Sequence, residues 1–483
     1  MYIRRLGETY LKEWRGRENR KPLIIRGARQ TGKSWLVKQF GTENFKHLVI
    51  INFEKEPQFK TFFERTSDIK KLVSEIELVK NVPIVPGKTL LFIDEIQQCP
   101  SAITKLRYFH EELPELHTIA AGSLLEFVLE NELVSFPVGR VEFYYLFPIC
   151  FAEFLGGCGE HKLIEYLEDV GLDKKIEPLI HLKLRELLKE YLLVGGMPEA
   201  TAEFLKSKRY KDCEKIWESI IQTYREDFKK YSKRVNVDNV EFAFNEAPHI
   251  VGQQINLTKF GKGAVRAREV KTSLKLLERA MLIYNAHQLK HMSFPLVPLQ
   301  DKRSKLLFLD VGLVQYMNHI SKEILESQNY SSVYRGGLAE QLVGQELLPL
   351  TGSLRHPELY YWRKDKREGT AEVDYLYPSD DDIFPVEVKS GKGGSLFSLH
   401  QFMYEYGQDP VLLGHEANPE NLRNINKKFA IRIYDGELNL ETIRVKLPQL
   451  KQIEYSLLSV PLYLIHKLPD LCKEGLRLLS PPL

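Results

Sequence analysis

Four short apolar runs, Pro22–Ile25, His47–Phe53, Thr89–Ile93 and His117–Ala121, recur through the first part of the chain. The run TLLFI is apolar enough to be buried on both faces, and HLVIINF reads as a second buried strand, as expected inside a parallel sheet. Between the runs, Trp35–Phe40, Ser67–Val79 (with Ser67 as its cap) and Ser101–Leu113 carry helical periodicity. Alternation of this kind predicts a parallel sheet with helices on both faces. Residues 1–20 suggest an amphipathic lead-in helix, with Arg4, Arg5, Arg15, Arg17 and Arg20 on a solvated face.

Further along, Glu160 to Tyr231 is helical in period throughout, with LLKEYLLV and IWESIIQTYREDF clearly amphipathic. Residues 236–320 change character. A short helix, a turn and a longer helix carrying Val265, Val270, Leu274 and Leu277 precede two strands, YNAHQL and KLLFLD (Lys305–Asp310). That order predicts a winged helix, with Arg266, Arg268, Lys271 and Lys275 on or beside its recognition helix, in reach of nucleic-acid phosphates. Winged helices also serve as spacers between proteins, so DNA and protein both stand as partners. From Gly336 the reading is helix, three strands, helix. After Pro410 come a strand VLLGH, a hairpin around Asp435-Gly436 and an amphipathic apolar tail, Ile453 to Leu468.

Composition narrows the class without naming a task. At 483 residues the chain is long for a single core, and its 43% hydrophobic and 28% charged content is that of an ordinary folded protein. A net charge of +3 and a pI near 8.3 do not announce nucleic acid. Cys99, Cys150, Cys158, Cys213 and Cys472 form no C-x-x-C pair, so neither a zinc ribbon nor a disulfide framework is indicated, which suggests a reducing, cytoplasmic compartment. The charged N-terminus has no signal-peptide core, and no window approaches the roughly eighteen apolar residues of a membrane span.

The sharpest chemistry lies between the first strand and its helix, where Gly27-Ala28-Arg29-Gln30-Thr31-Gly32-Lys33-Ser34 spells G-x-x-x-x-G-K-S ahead of Trp35. Gly27 and Gly32 let backbone N–H groups close around an anion, and the helix start adds its positive dipole end. Lys33 then reaches the β and γ phosphates of a nucleotide, and the Ser34 hydroxyl coordinates Mg²⁺. Asp94 ends the TLLFI strand, about sixty residues on, placed to bind that magnesium, while Glu95 is positioned to polarise an attacking water. Strand ends of open α/β sheets share one cleft, so Ser123 at the end of the HTIAA strand is a candidate sensor of the γ-phosphate or the water.

These segments, RGARQTGKS, LLFIDEIQ, AAGSLL and FPVGRVEFYYLFPICFAEFL (Phe136–Leu155), resemble the AAA-type P-loop ATPases of bacteria and archaea that are fused to a C-terminal domain of unknown function. The resemblance implies an ATPase core over residues 1–158, a helical lid over 159–235, a winged-helix connector over 236–325 and a C-terminal domain over 326–483. It also implies that ATP and Mg²⁺ are the ligands. The Gly139-Arg140 pair, with Pro148 and the aromatic helix Phe151–Phe154, would close the core. Arg140 would contact phosphate in its own chain or in a neighbour's, in an oligomer. LVGGMPEA (Leu193–Ala200) matches another family signature, and physically it is a Gly-Gly turn before a proline-started helix.

In the C-terminal part, Glu340 lies on the first helix, Asp374 on the second strand, and Glu387 and Lys389 on one face of the third. Glu340, Asp374 and Glu387 could share Mg²⁺ or Mn²⁺, and Lys389 could orient and deprotonate water for phosphodiester hydrolysis. Gln401 on the next helix could position a phosphate. The pattern resembles the PD-(D/E)xK nuclease superfamily over roughly residues 336–415, with EVD in place of PD, and implies an α/β restriction-endonuclease-like fold. The expected whole is an ATP-hydrolysing protein whose nucleotide state controls this nuclease-like part. The alternative is a non-cleaving nucleotide switch whose C-terminal part binds a protein.

Overall fold

The computed structural model describes residues 3–123, 125, 137, 139–231, 235–299, 304–327, 337–364, 369–389, 395–407, 426, 428–446 and 452–479. Among these residues the strands form two sheets. The first joins Leu23–Arg26 (β1), His47–Asn52 (β2), Thr89–Asp94 (β3), His117–Ala121 (β4) and Glu142–Tyr145 (β5) in the order β2-β3-β4-β1-β5, parallel throughout. Its faces are covered by Gly7–Gly16 (α1), Lys33–Asn44 (α2), Phe59–Arg65 (α3), Ile69–Lys80 (α4) and Pro100–Glu112 (α5). The register sets Asn52 beside Asp94 and Asp94 beside Ala121, so the carboxyl ends of β2, β3 and β4 form one edge. This is the α/β arrangement the alternating pattern predicts. One detail differs: Asp68 rather than Ser67 caps α4, its carboxylate accepting from Lys71 N at 3.0 Å, because a charged acceptor is favoured at a helix N-terminus.

Helices follow: Phe151–Gly157 (α6), His161–Glu168 (α7), Pro178–Val194 (α8), Pro198–Ser207 (α9), Glu214–Phe228 (α10), Val237–Glu246 (α11) and Ala267–Arg279 (α12). Ile283–Gln288 (β6) and Lys305–Phe308 (β7) come next, then Val311–Met317 (α13), Ser321–Glu326 (α14) and Gly337–Gly352 (α15). The remaining elements are Leu359–Arg363 (β8), Glu372–Ser379 (β9), Asp382–Lys389 (β10), Phe397–Gly407 (α16), Phe429–Tyr434 (β11), Asn439–Lys446 (β12), Gln452–Pro461 (β13) and Leu468–Leu479 (α17). The second sheet is mixed, in the order β12-β13-β11-β10-β9-β8-β6-β7.

Two expectations are corrected here. The strands β6 and β7 pair antiparallel as a wing would, yet β6 also pairs with β8, so they are the edge of the second sheet and not a free two-stranded wing. Ile283, Ala286 and Leu306–Phe308 are buried, and apolar strands of this kind need a covered sheet rather than solvent. The segment around Asp435-Gly436 does not make a hairpin either, because β13 lies between β11 and β12. Nearly every residue of β13 is buried while β12 alternates with solvent, so the apolar strand takes the inner position. The strand expected at Val411–His415 lies outside the described residues, as do Phe136 and Val138.

One apolar core runs from Ile3 and Ala28 beside the P-loop through Tyr191, Phe204, Tyr224, Phe244 and Phe308 to Ile431 and Leu464 of the second sheet. Within it sits a polar joint. Ile149 N donates to Gly196 O (2.7 Å), Gly196 N to Asp310 Oδ2 (2.6 Å), and Asp310 Oδ1 caps α13 through Gly312 N (3.0 Å). A Cβ on Gly196 would stand 2.1 Å from Ile149 O, and one on Gly195, whose φ is +74°, would stand 2.2 Å from Asp310 Oδ1. The Gly-Gly turn is therefore demanded by close approach of two other segments.

Buried Glu346 completes the joint, accepting from Phe151 N (3.0 Å) and lying 3.1 Å from the Tyr191 hydroxyl. That hydroxyl shares its one proton between Ile149 O at 2.6 Å and the carboxyl, which is itself buried in the core. Burial accordingly pushes Glu346 from 4.5 up to about 8. An acid whose folded value is raised binds more protons folded than unfolded, so stability is lost as pH rises between 4.5 and about 8. Glu346→Gln should abolish up to ~1.4 kcal/mol of that loss per pH unit, read from urea unfolding of both proteins across the window. Parallel pH profiles would refute the assignment.

Candidate functional site

Strand β1 is buried along its whole length and delivers Gly27 at the carboxyl edge, where a Cβ would lie 2.3 Å from Leu146 O. The loop turns back through Gln30 (φ +65°) and Gly32 (φ +92°) before α2 starts at Lys33. Buried Lys33 donates through Nζ to Gly27 O (2.9 Å) and Ala28 O (2.7 Å) of its own loop. Burial pulls its ammonium from 10.5 down to about 8. Thr31 Oγ1 braces the turn on Ala28 O at 2.9 Å.

Because β4 is inserted between β1 and β3, the turn after β4 stands between the glycine loop and the acidic pair. Ser34 Oγ donates to Asp94 Oδ1 (2.9 Å), and Asn52 Nδ2 to Asp94 Oδ2 (3.0 Å). A hydroxyl and a carboxylate side by side make a hard-oxygen set suited to Mg²⁺, which keeps most of its waters. Glu95 adopts a left-handed conformation (φ 53°, ψ 44°), strained for a residue with a Cβ, and accepts from Gln97 Nε2. Burial raises its carboxyl above the usual range, which strengthens it as a proton acceptor. Ser123 Oγ and Gln97 Oε1 are buried without a protein partner.

Arg29, Gln30, Gly32, Lys33, Ser34, Trp35, Glu95 and Ser123 line one cavity of about 430 Å³, the size of a small-ligand site. Ile3, Arg5, Ile149, Pro198, Glu199 and Ala202 supply the other wall, which brings the start of α9 over the glycine loop. The solvated-face reading fails for Arg5: it is 4% exposed, pairs with Glu153 (3.0 Å) and donates to Thr31 O (3.0 Å) and Phe147 O (2.7 Å). Arg29 makes two hydrogen bonds to Asp227 of α10 (2.8 and 3.1 Å), and the Tyr224 hydroxyl donates to Arg29 O (2.9 Å). Arg5, Asn52, Gln97 and Asp227 were not singled out by sequence. Only Gln97, two positions past Glu95, carried a local hint.

Residues 19–155 match the family model described as AAA domain. The AAA domain accounts for the parallel sheet, and its P-loop NTPase-like α/β fold is that of the first sheet here. Residues 185–324 and 335–445 match two further models, each described as a domain of unknown function (DUF8612 and DUF4143). No curated protein matches the chain. Among solved structures it is similar to the Walker-type ATPase PABY2304 of Pyrococcus abyssi, at 15% identity and TM-score 0.41 over 66% of this chain and 96% of that one. It is also similar to the ORC2 protein of Aeropyrum pernix (13%, TM-score 0.33, 68% and 96%) and to the RuvB Holliday junction branch migration motor of Thermotoga maritima (15%, TM-score 0.26, 59% and 90%). Among the described residues no helix is long and apolar enough to cross a membrane.

Arg140 is not brought to the AAA domain's cavity within its own chain. It precedes β5, whose Glu142 pairs with Leu23 at the amino edge of the sheet, opposite the glycine loop. There it is exposed and pairs with Glu111 of α5 (2.9 Å). On α12, exposed Arg266 and Arg268 border one groove with Asn239, while Lys271 and Lys275 border a second with His287.

In the second sheet, Glu340 (α15), Asp374 (β9), Glu387 and Lys389 (β10) are brought together, but not around a gap. Lys305 Nζ stands between Glu340 Oε2 (2.6 Å), Glu372 Oε1 (3.1 Å) and Asp374 Oδ1 (3.1 Å). Lys389 pairs with Glu387 (2.6 Å), and Val388 N donates to Asp374 Oδ2 (2.8 Å). Among the described residues no three His, Cys, Asp or Glu side chains are grouped as metal ligands. Burial raises Glu340 and Glu387; it opposes the charge on Lys305, yet Glu340, Asp374 and Glu372 hold that ammonium well above its ordinary range. Gln401 lies half-buried on α16.

Lys33 gives the AAA cavity a proton signature. A phosphate beside the ammonium raises its pKa again, so above about 8 binding takes up a proton and weakens as pH rises. Calorimetry with ADP at about pH 9, in two buffers of different ionisation enthalpy, should register that uptake. Affinity that is flat between about pH 7 and about pH 9 would contradict it.

Proposed function

We propose that the chain binds ATP at the AAA cavity and hydrolyses it, and that the rest of the molecule responds to the nucleotide state. The observation that carries this reading is the convergence of the glycine loop, the Ser34–Asp94 pair, Glu95 and Ser123 on one cavity. Loop amides and the Lys33 ammonium bind and orient the phosphates, Lys33 exchanging two loop carbonyls for phosphate oxygens. Ser34 and Asp94 would hold Mg²⁺, which when bound neutralises charge on the β and γ phosphates. Glu95 accepts the proton of the attacking water, and Gln97 holds its carboxylate in place. The unpartnered Ser123 hydroxyl is free to hydrogen-bond the water or the γ-phosphate. Trp35, partly exposed at the rim, offers a flat face to the base.

Arg29 supports the responding part of the proposal. It holds Asp227 of the helical segment from inside the P-loop, so an incoming phosphate competes with that helix for its guanidinium. Exposed Arg266, Arg268, Lys271 and Lys275, on or beside α12, support nucleic acid as the partner that reads the change.

Lys33→Ala should remove nucleotide binding in a calorimetric titration, whereas Glu95→Gln should bind ATP normally and turn it over at least ~100-fold more slowly. Full turnover by the second variant would move the base elsewhere. Protease digestion with ATP should differ from digestion with ADP, and Asp227→Asn should erase that difference while leaving binding intact. Identical digests of the unmodified chain in both states would sink the coupling.

A further inference from the structure

Lys305 drew no attention in the sequence except as the first residue of a strand, yet it is only 1% exposed and surrounded by acids from two other elements. An ammonium has three N–H donors and no acceptor, and here three carboxylates lie within ion-pair distance at 2.6, 3.1 and 3.1 Å, that of Asp374 accepting a hydrogen bond. These are N–H···O lengths. Oxygens bound to Mg²⁺ stand at about 2.0–2.1 Å and those bound to Ca²⁺ at about 2.3–2.6 Å, so the carboxylates are spaced for a nitrogen.

The seat is closed on its other sides. The rings of Tyr361 and Tyr375 have centroids 5.9 and 5.7 Å from Nζ, and the Tyr375 hydroxyl is tied to Glu340 O at 2.7 Å. Gly252 approaches Glu340 so closely that a Cβ would stand 3.1 Å from Oε2. Arg363 pairs with Glu372 (3.4 Å) and Lys389 with Glu387 Oε1 (2.6 Å), while Glu387 Oε2 is buried without a hydrogen-bond partner. Lys305 is also fixed from behind, its backbone paired with Ala286 in the sheet. A divalent ion cannot enter without expelling the ammonium from this cage, and the residues present therefore do not fit the metal that a nuclease-like pattern implies.

We infer that Lys305 is the built-in cation of this cluster, so that its carboxylates take no divalent ion in the native chain and a metal seat lies latent behind one side chain. The conclusion is independent of the ATPase reading. The test uses the full chain, free of nucleotide, carrying Asp94→Asn to remove the acid of the AAA cavity. Mn²⁺ bound per chain is counted by electron paramagnetic resonance, with melting temperature as a second readout. In this parent, adding Glu340→Gln should leave the count unchanged, and plasmid DNA should stay intact in Mn²⁺. Lys305→Met should add one Mn²⁺ per chain, with melting shifted upward by the ion, and Glu340→Gln in that background should remove both effects. Should Lys305→Met fail to fold, Lys305→Gln replaces it. The inference is overturned by Mn²⁺ binding or DNA cleavage in the parent that Glu340→Gln abolishes, or by a folded Lys305 variant that gains no ion.

Discussion

The segment from Leu146 to Phe151 has little regular structure, yet its backbone polar groups are committed to different parts of the chain. Leu146 N bonds β1, Phe147 O receives Arg5, Ile149 bonds the Gly-Gly turn and Tyr191, and Phe151 N meets Glu346 of α15. Buried backbone groups must be paired, so each of these bonds fixes a distance between the elements it joins. Gly27 and Gly196 follow from the same constraint: both face carbonyls of this segment at separations that leave no room for a Cβ. The nucleotide cavity is shaped by it as well, since Ile149 and Arg5, the latter anchored on Phe147, both line it.

Such a joint limits what a nucleotide can move. Nucleotide binding supplies a few kcal/mol, about 2.7 kcal/mol at a hundredfold excess over the dissociation constant. Breaking one partner from a buried pair such as Arg5–Glu153 costs about 3–5 kcal/mol, and the continuous apolar core behind it would have to part too. The Arg29–Asp227 pair is different. Its guanidinium is 27% exposed, and Lys230 also holds Asp227 (2.6 Å), so the carboxylate keeps a charge partner when Arg29 leaves. A phosphate can therefore take Arg29 from α10 without opening the joint, and the response is expected as a local shift of α10 rather than a swing of one half against the other.

What the sequence made legible is what short range determines. The glycine loop, the Asp94-Glu95 strand end and the alternation of strands with helices are all decided by neighbours within a few positions, and they appear where periodicity puts them. Errors arose where a distant segment decides. Whether β6 and β7 form a wing depends on β8, and whether Asp435-Gly436 is a hairpin depends on β13 inserting itself. Arg5 and Arg140 look alike as isolated basic residues. One is buried against Glu153 and the other is exposed beside Glu111, because β5 runs parallel to β1 and leaves Arg140 at the wrong edge. The acids Glu340, Asp374 and Glu387 were legible as a cluster; the lysine that enters it comes from β7, outside the pattern.

The two lysines at the chemically loaded places of this chain show how hydrogen-bond accounting separates an open site from a filled one. Lys33 rests on neutral loop carbonyls, is weakened toward deprotonation by burial, and lines one cavity with Ser123, whose Oγ lacks a partner. Every one of those features improves when an anion arrives: the ammonium gains charge partners and the carbonyls it leaves can be rehydrated or bonded anew. Lys305 already stands within ion-pair distance of three carboxylates, and removing it leaves their partly buried charges facing one another. Any cation there must first displace an ammonium held by three charges, whereas at Lys33 an anion brings the charge partner that the protein alone does not supply.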